Sequence, residues 1–438
     1  MTSSASVAAP AALSTASVSA VGASPWTCPF CTLLCDGFAL APADAATGAP
    51  MRLLGSDCPI AQSALARFSA PSVAACRIGD EATSLDAAIE AAAQKLAAAR
   101  QPVVGGLGLD VAGARALYPL ACASGAVLDG GTSMLHGLRA LQDRGQFTAT
   151  FAEVRNRADL VVCLGPTPRD AHPEIWRRLG FGEALVASRE IVFLGAAADP
   201  ALAGVPNTRV SAIASDGDAF DAVSRLAACV AGRRIEAGAE LVALAGRLRA
   251  ARYVVLTWNS AGLPAHGSLI VEAANAIVAE LNRTTRAAVL ALGSGAPLSS
   301  QQTVTWLSGL PLRSRAGPLG LEHEPLRFDA KAMLAAGDAD ALLWIASFGN
   351  EYELPPVPNG LPLVVIGHAQ MRPPAEAVFI PVATPGLDDS GDLFRVDGSV
   401  TLPLAPVALP ARDRKLPGAA EVLKRLAARV QSLKGGAR

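Results

Sequence analysis

The sequence predicts an α/β protein: a small cysteine-bearing N-terminal lobe followed by two doubly wound α/β domains. Three observations carry this. Short apolar, β-branched runs alternate with Ala/Leu-rich helical patterns along most of the chain. The apolar runs lack polar alternation, as expected of strands buried on both faces of a parallel sheet. Several end in Gly, Ser or Asn (Gly165, Gly195, Asn259-Ser260, Gly293, Ser347), where a strand turns into a helix. The 438 residues suffice for two or three domains, and 51% hydrophobic against 17% charged residues allows large cores. A net charge of −1 without a long basic run argues against a nucleic-acid face. No apolar stretch of about 20 residues is free of charges or breakers, so no transmembrane helix is expected.

The elements follow in order. Met1–Pro25 is rich in Ala, Ser, Thr and Val, has no Lys or Arg ahead of its apolar residues, and is interrupted by Pro10. It reads as a disordered tail over residues 1–24 rather than a signal peptide, which implies the cytoplasm. The cysteine-bearing lobe is expected over 25–75. Strands are expected at Pro102–Leu107, Leu160–Leu164, Ile191–Leu194, Tyr253–Thr257, Ala288–Leu292, Ala341–Ile345, Leu363–Ile366 and Ala377–Pro381. Helices are expected at Ser84–Arg100, Val111–Ser124, Asp218–Val230, Ala237–Ala250, Ser268–Asn282 and Ala330–Ala336, with Asp86 suiting the first-turn dipole of the first. Residues 295–324 carry Pro297, Pro311 and Pro318 and read as a long loop or domain crossing. Ile380–Leu409 is Pro/Gly-rich and reads as irregular backbone packed on another domain; Ala419–Leu433 reads as a terminal helix.

Cys28, Cys31 and Cys35 form a C-x2-C-x3-C pattern, and Cys58 follows in the same lobe. Thiolates so spaced are candidate ligands for a [4Fe–4S] cluster or a zinc ion, which spacing does not separate; the bland alternative is four buried free cysteines. Eight cysteines in a reducing compartment argue against a disulfide framework. Cys76, Cys122, Cys163 and Cys229 are scattered and read as small core residues.

Four segments carry a resemblance. The first is Thr27-Cys28-Pro29-Phe30-Cys31-Thr32-Leu33-Leu34-Cys35-Asp36-Gly37. The second runs from Asp129 to Gln142 and contains Ser133-Met134-Leu135-His136-Gly137. The third runs from Glu153 to Gly165 and on to His172-Pro173, and the fourth is Gly386 to Gly398, including Arg395-Val396-Asp397-Gly398. In this order, from about Trp26 to Leu404, they resemble the B subunit of the formylmethanofuran dehydrogenases, members of the molybdopterin oxidoreductase superfamily. The resemblance implies that superfamily's fold without its C-terminal β-barrel domain, which in these dehydrogenases is a separate subunit. It implies one discontinuous α/β domain, 76–135 with 320–438, built around a second, 136–319. It also implies a [4Fe–4S] cluster at the cysteines, although Thr32 stands where the family has Gly and the gap to Cys58 is short.

The departures fall on the chemistry. Leu135 stands where the family has the Cys thiolate that ligates molybdenum or tungsten, and leucine has no lone pair to donate. Phe348, in Trp344–Asn350, stands where the family has the Asp of a Ser-Asp-Pro turn. A related branch in methylotrophic bacteria fits better: a four-subunit formyltransferase/hydrolase complex of tetrahydromethanopterin-dependent one-carbon metabolism. It moves a formyl group from formyl-tetrahydromethanopterin to a furan cofactor and hydrolyses it to formate, with no electron transfer. The resemblance then implies a non-redox scaffold subunit with no Mo/W-pterin. Its partners would be an amidohydrolase-like A subunit, a C subunit and a formyltransferase D subunit, with neither nucleic acid nor membrane among them. The competing expectation is a working Mo/W-pterin dehydrogenase subunit.

Other local signals are weaker. His172 reads as fold-keeping rather than catalytic. His136 could act as a base, with only Ser133 near it in sequence. The five histidines show no H-x-H or H-x3-H spacing, so a binuclear hydrolytic centre belongs to another chain. Gly105-Gly106-Leu107-Gly108 lacks the phosphate-loop spacing and reads as a tight βα turn. Arg155, Arg157, Arg169, Arg177 and Arg178 form a basic cluster suited to an anionic tail or to a solvated or subunit-facing surface.

Overall fold

A computed structural model describes residues 24–41, 50–70, 75–131, 135–215, 219–293, 297–349, 354–407 and 416–435. The tail expected over 1–24 therefore lies outside the described residues except for Ser24. The lobe is a three-stranded antiparallel sheet of β1 (Ser24–Trp26), β2 (Phe38–Ala41) and β3 (Arg52–Leu54), followed by α1 (Pro59–Ser69). Pro59 opens α1, where its missing N–H costs nothing.

The chain then enters a nine-stranded sheet. Its first visit supplies β4 (Cys76–Ile78), β5 (Glu81–Thr83), α2 (Leu85–Ala98), β6 (Pro102–Gly108), α3 (Val111–Ser124) and β7 (Val127–Leu128). Ser84 caps α2 through Ala87 N–H, and Asp110 caps α3 through Gly113 N–H. A second unit follows: α4 (Leu135–Arg144), α5 (Phe151–Arg157), β8 (Leu160–Leu164), α6 (Ile175–Arg178), β9 (Arg189–Leu194), β10 (Thr208–Ile213), α7 (Ala219–Val230), α8 (Ala239–Ala250), β11 (Tyr253–Asn259), α9 (Gly267–Leu281) and β12 (Arg286–Leu292). Its five strands are all parallel, in the order β10-β9-β8-β11-β12. The chain returns to the first sheet through α10 (Pro297–Ser308), β13 (Ser314–Gly317), β14 (Gly320–His323), α11 (Ala330–Ala336), β15 (Ala341–Ala346), β16 (Leu363–His368) and β17 (Val378–Val382). It ends with the hairpin β18 (Gly391–Phe394) and β19 (Thr401–Leu404) and with α12 (Ala419–Gly435). The large sheet runs β14-β13-β7-β6-β15-β16-β17-β4-β5, parallel from β7 to β17 and antiparallel at both ends.

Each sheet is covered on both faces. Helices α2, α3 and α12 bury one face of the large sheet, and α11 packs on the other. Helices α7, α8 and α9 cover one face of the small sheet. Its other face shares a single core with the cysteine lobe, from Trp26, Phe30 and Phe68 through to Val161, Phe193 and Val255. The lobe is thus a layer of the second unit, fixed by apolar burial at about 1.5–3 kcal/mol per large side chain.

Every strand expected from sequence is present, with ends moved by a residue or two. Three expectations are corrected. Residues 295–324 are not a long loop: Pro297 opens α10, and β13 pairs antiparallel with β14 and β7. Val304 of α10 lies in the large sheet's core. Gly105–Gly108 is not a βα turn but the end of β6, with a register shift against β15. A Cβ at Gly105 would come within 2.6 Å of the Trp344 ring, and one at Gly106, whose φ is +74°, within 2.5 Å of Ile345 O. The glycines make room for an indole rather than a phosphate. Residues 380–409 are also not wholly irregular, since they hold the β18–β19 hairpin. Among the described residues no helix is long and apolar enough to cross a membrane.

Candidate functional site

Ligands of open α/β sheets bind beyond the carboxyl ends of the strands, where the strand order reverses. In the large sheet that point lies between β6 and β15, because the chain runs outward from β6 to β7 and from β15 to β16 and β17. Asp110, Ser347 and Phe348 stand at these strand ends. Here the crevice is filled by the protein itself. Phe348 is 1% exposed and packs with Leu34 of the lobe and with Leu393 and Leu404 of the hairpin. Thr384 Oγ1 donates to Ser347 O at 2.8 Å, Ser300 Oγ to Leu107 O at 2.9 Å, and Phe394 N–H to Ser299 Oγ at 3.0 Å. Gly391 lies so close to Asp110 that a Cβ there would be 3.0 Å from Oδ2. Burial raises the Asp110 carboxyl above its ordinary value, and Asp392 adds to the rise. The end of β15 is therefore closed by an apolar plug.

Leu135 is the first residue of α4; its side chain, and residues Ser133 and Met134, lie outside the described residues. The start of this segment is held tightly. Asp129, at the end of β7, accepts from Gly131 N–H, Ala330 N–H and Arg313 Nε at 2.8, 2.8 and 3.1 Å. Arg313 is buried, has a φ of +63°, and also binds Asp329 and Pro325 O. His136 is buried against Gly267 at the start of α9. Burial lowers its pKa, and Arg313 and His266 lower it further, so it is neutral at neutral pH.

The lobe places Cys28, Cys35 and Cys58 in one apolar core with Trp26, Phe30, Phe38 and Met51, and Cys31 at its margin. Cys28 N–H bonds Cys35 O at 2.9 Å, and Leu34, at a φ of +46°, closes the turn onto Cys31 O. Burial pushes the Cys31 thiol up to about 12 and raises those of Cys28, Cys35 and Cys58. Backbone N–H groups of Phe30, Leu33 and Ile60 oppose this, as they would around thiolates. Yet among the described residues no group of three or more His, Cys, Asp or Glu is disposed to hold a metal ion. The thiols also raise one another: Cys31, Cys35 and Cys58 act on Cys28, Cys58 on Cys31 and Cys31 on Cys35, so the lobe gathers all four.

His172 is wholly buried, not at an open site. Its Nε2 lies 3.0 Å from both Thr32 Oγ1 and Gly293 O, and Thr32 donates its own hydrogen to Gly293 O at 2.7 Å. Nε2 therefore carries a hydrogen shared between the two oxygens, and burial keeps the ring neutral. Thr32 thus stitches the lobe to the loop before α6 and to the end of β12. Thr32→Val is expected to lower stability by about 1 kcal/mol in urea unfolding, the net worth of a buried hydrogen bond, since His172 can still donate to Gly293 O. A loss below about 0.3 kcal/mol would deny the stitch a structural role.

Four arginines of the basic cluster have carboxylate partners within the chain. Arg155 pairs Glu183 at 2.8 Å, Arg177 pairs Glu174 at 2.7 Å and Arg178 pairs Asp36 at 2.6 Å; Arg169 reaches Asp199 at 3.9 Å. Glu174 also accepts from Ser56 of the lobe, and Arg177 stacks on Phe38 at 4.3 Å. These charges dock the lobe onto α6.

The fourth resembling segment has a joining role that sequence reading missed. Asp397 is fully buried, holds Arg395 through two 2.8 Å bonds, and accepts from Phe151 N–H at 2.9 Å. Phe151 opens α5, whose Thr150–Glu153 capping box fixes that amide. Val396 N–H binds Thr32 O at 3.0 Å, so the segment ties hairpin, lobe and second unit together. Burial pushes the Asp397 carboxyl up, but the bonds from Arg395 and Phe151 and the Arg395 charge outweigh it and hold it below the ordinary value. Its folded pKa is thus depressed. Its contribution is complete above the unfolded value near pH 4 and is lost as pH falls through the lower folded value. Wild-type stability should fall steeply below about pH 4, whereas Asp397→Asn, weaker at pH 7, should lose less over that acid window. Equal acid losses in thermal melts would refute this.

No protein-family model matches the chain. It is 32% identical over 331 residues to the B subunit of the Fhc formyltransferase/hydrolase complex of Methylorubrum extorquens, covering 72% of this chain and 86% of that protein. It is 27% identical over 440 residues to the B subunit of the tungsten-containing formylmethanofuran dehydrogenase 2 of Methanocaldococcus jannaschii, covering 93% and 98%. The fold superposes with a TM-score of 0.70 and 30% identity on a chain of the crystal structure of the formyltransferase/hydrolase complex FhcABCD from Methylorubrum extorquens in complex with methylofuran. That match covers 83% of this chain and all of the other.

Proposed function

Because the chain belongs to the family of formyltransferase/hydrolase complex and formylmethanofuran dehydrogenase B subunits, we propose that it is the non-redox B subunit of a formyltransferase/hydrolase complex. It assembles with A, C and D subunits and scaffolds the transferase and hydrolase centres, which act in turn on a formyl group carried by a furan cofactor. The work of this chain is positional: it supplies folded surfaces and no redox group.

The observation that carries this is the plug at the sheet's switch point. Phe348 and its leucine neighbours occupy the crevice in which a pterin would need polar partners, and an apolar wall disfavours so charged a group. Leu135 supplies no thiolate at the metal position. His136 and His172 are buried and neutral, which leaves neither poised as a base toward solvent. We read the four lobe cysteines as retained core thiols without a metal. The free cysteines and the absence, among the described residues, of a membrane-spanning helix suit a cytoplasmic complex.

Co-expression of the tagged chain with its A, C and D subunits tests this reading. The expected result is one stable assembly that converts the formylated furan carrier to formate without reducing a low-potential dye. Dye reduction coupled to formyl oxidation would instead establish the dehydrogenase reading.

A further inference from the structure

Building on the proposed reading, we infer that the β13–β14 hairpin is the docking surface for a sister subunit that adds an apolar strand beside β14. Strand β14 is the last of the large sheet, and among the described residues only one of its edges is paired. An open edge of this kind is a template for another strand. Its residues, Gly320-Leu321-Glu322-His323, include no Lys or Pro to block pairing.

Large apolar side chains crowd the same stretch of chain. Leu319 at the hairpin tip is 97% exposed, Leu326 88% and Trp306 on α10 74%, with Leu321 and Leu307 also exposed. With an aromatic side chain at about 150–250 Å² and an exposed Leu on the order of 100 Å², these residues leave roughly 400–500 Å² of apolar surface in water. That is about half of the ~800 Å² per partner that a stable interface needs. The edge backbone and a polar rim would supply the rest.

The hairpin is also rigid. Arg315 pairs with Glu322 at 2.7 Å across the strands and lies over the Phe328 ring at 5.1 Å, while the buried Arg313 anchors its base. Little flexibility is lost on binding. The charged groups of the hairpin are already engaged, so the edge offers backbone and leucine, which suits an apolar strand. A sister subunit is the occupant chosen over a second copy because the superposable chain sits in a complex of four different subunits.

The experiment co-expresses the full chain with its three sister subunits and compares wild type, Leu319→Asp combined with Leu321→Lys, and Val242→Asp. Val242 is similarly exposed on α8, remote in sequence, and serves as the control. Native mass spectrometry identifies each subunit recovered. The expected result is full assembly for wild type and the control, and at least a tenfold loss of one sister subunit for the double variant at an unchanged melting temperature. In the wild-type complex, amides 319–323 should gain protection from hydrogen exchange. Undiminished assembly of the double variant would overturn the inference, as would a homodimer of this chain that the double variant disperses while sister subunits stay bound. Failure of wild type itself to assemble would overturn the functional reading instead.

Discussion

Phe348→Asp is expected to destabilise the protein by about 3 kcal/mol or more and to bring in no pterin. The side chain sits among Leu34, Leu393 and Leu404, an apolar setting that disfavours a carboxylate. The new group would respond by shifting its pKa upward, and the plug that joins lobe, hairpin and β15 would loosen. Phe348→Leu keeps the apolar character and should cost under about 1.5 kcal/mol. Urea unfolding separates the two. An Asp variant as stable as the Leu variant would mean that the crevice is polar and open, contrary to the packing described.

Arg313→Met is the second large effect, at about 3–5 kcal/mol. The Arg313 guanidinium is buried between Asp129 and Asp329, and removing it strands the Asp129 carboxylate away from water. The positive φ at 313 adds no compensation, because Met is no better suited to it than Arg. In the double variant Arg313→Met with Asp129→Asn the stranded charge is gone, so the combined loss should be clearly less than the sum of the single losses. Strict additivity would show that the two side chains do not act as a pair.

What the sequence revealed depended on the range of the interactions. Strands such as Leu160–Leu164 and Leu363–His368 were legible because unbroken apolar runs suit only a buried sheet. The β13–β14 hairpin was not. Its strands show no apolar run, only Leu321 among polar or small residues, and it exists because β7 and the Arg313 network receive it. At the site the sequence marked Leu135 and Phe348 as departures from the family pattern, but not what packs around Phe348. Leu34, Phe348 and Leu404 lie far apart in sequence, as do Asp129 and Arg313, and no local pattern announces such pairs. Thr32 was visible only as a departure, and its partner His172 looked like a remnant; their 3.0 Å contact gives both a purpose.

The central claim is that this chain serves a formyl-transferring complex without a redox centre of its own. The most direct measurement is elemental analysis of the natively purified complex, with Mo, W, Fe and Zn quantified per copy of this chain and pterin extracted in parallel. The expected result is no stoichiometric Mo or W, no pterin, and no Fe or Zn held by this chain. Stoichiometric Mo or W with extractable pterin would contradict it, whereas about four Fe or one extra Zn per chain would contradict only the reading of Cys28, Cys31, Cys35 and Cys58 as core thiols.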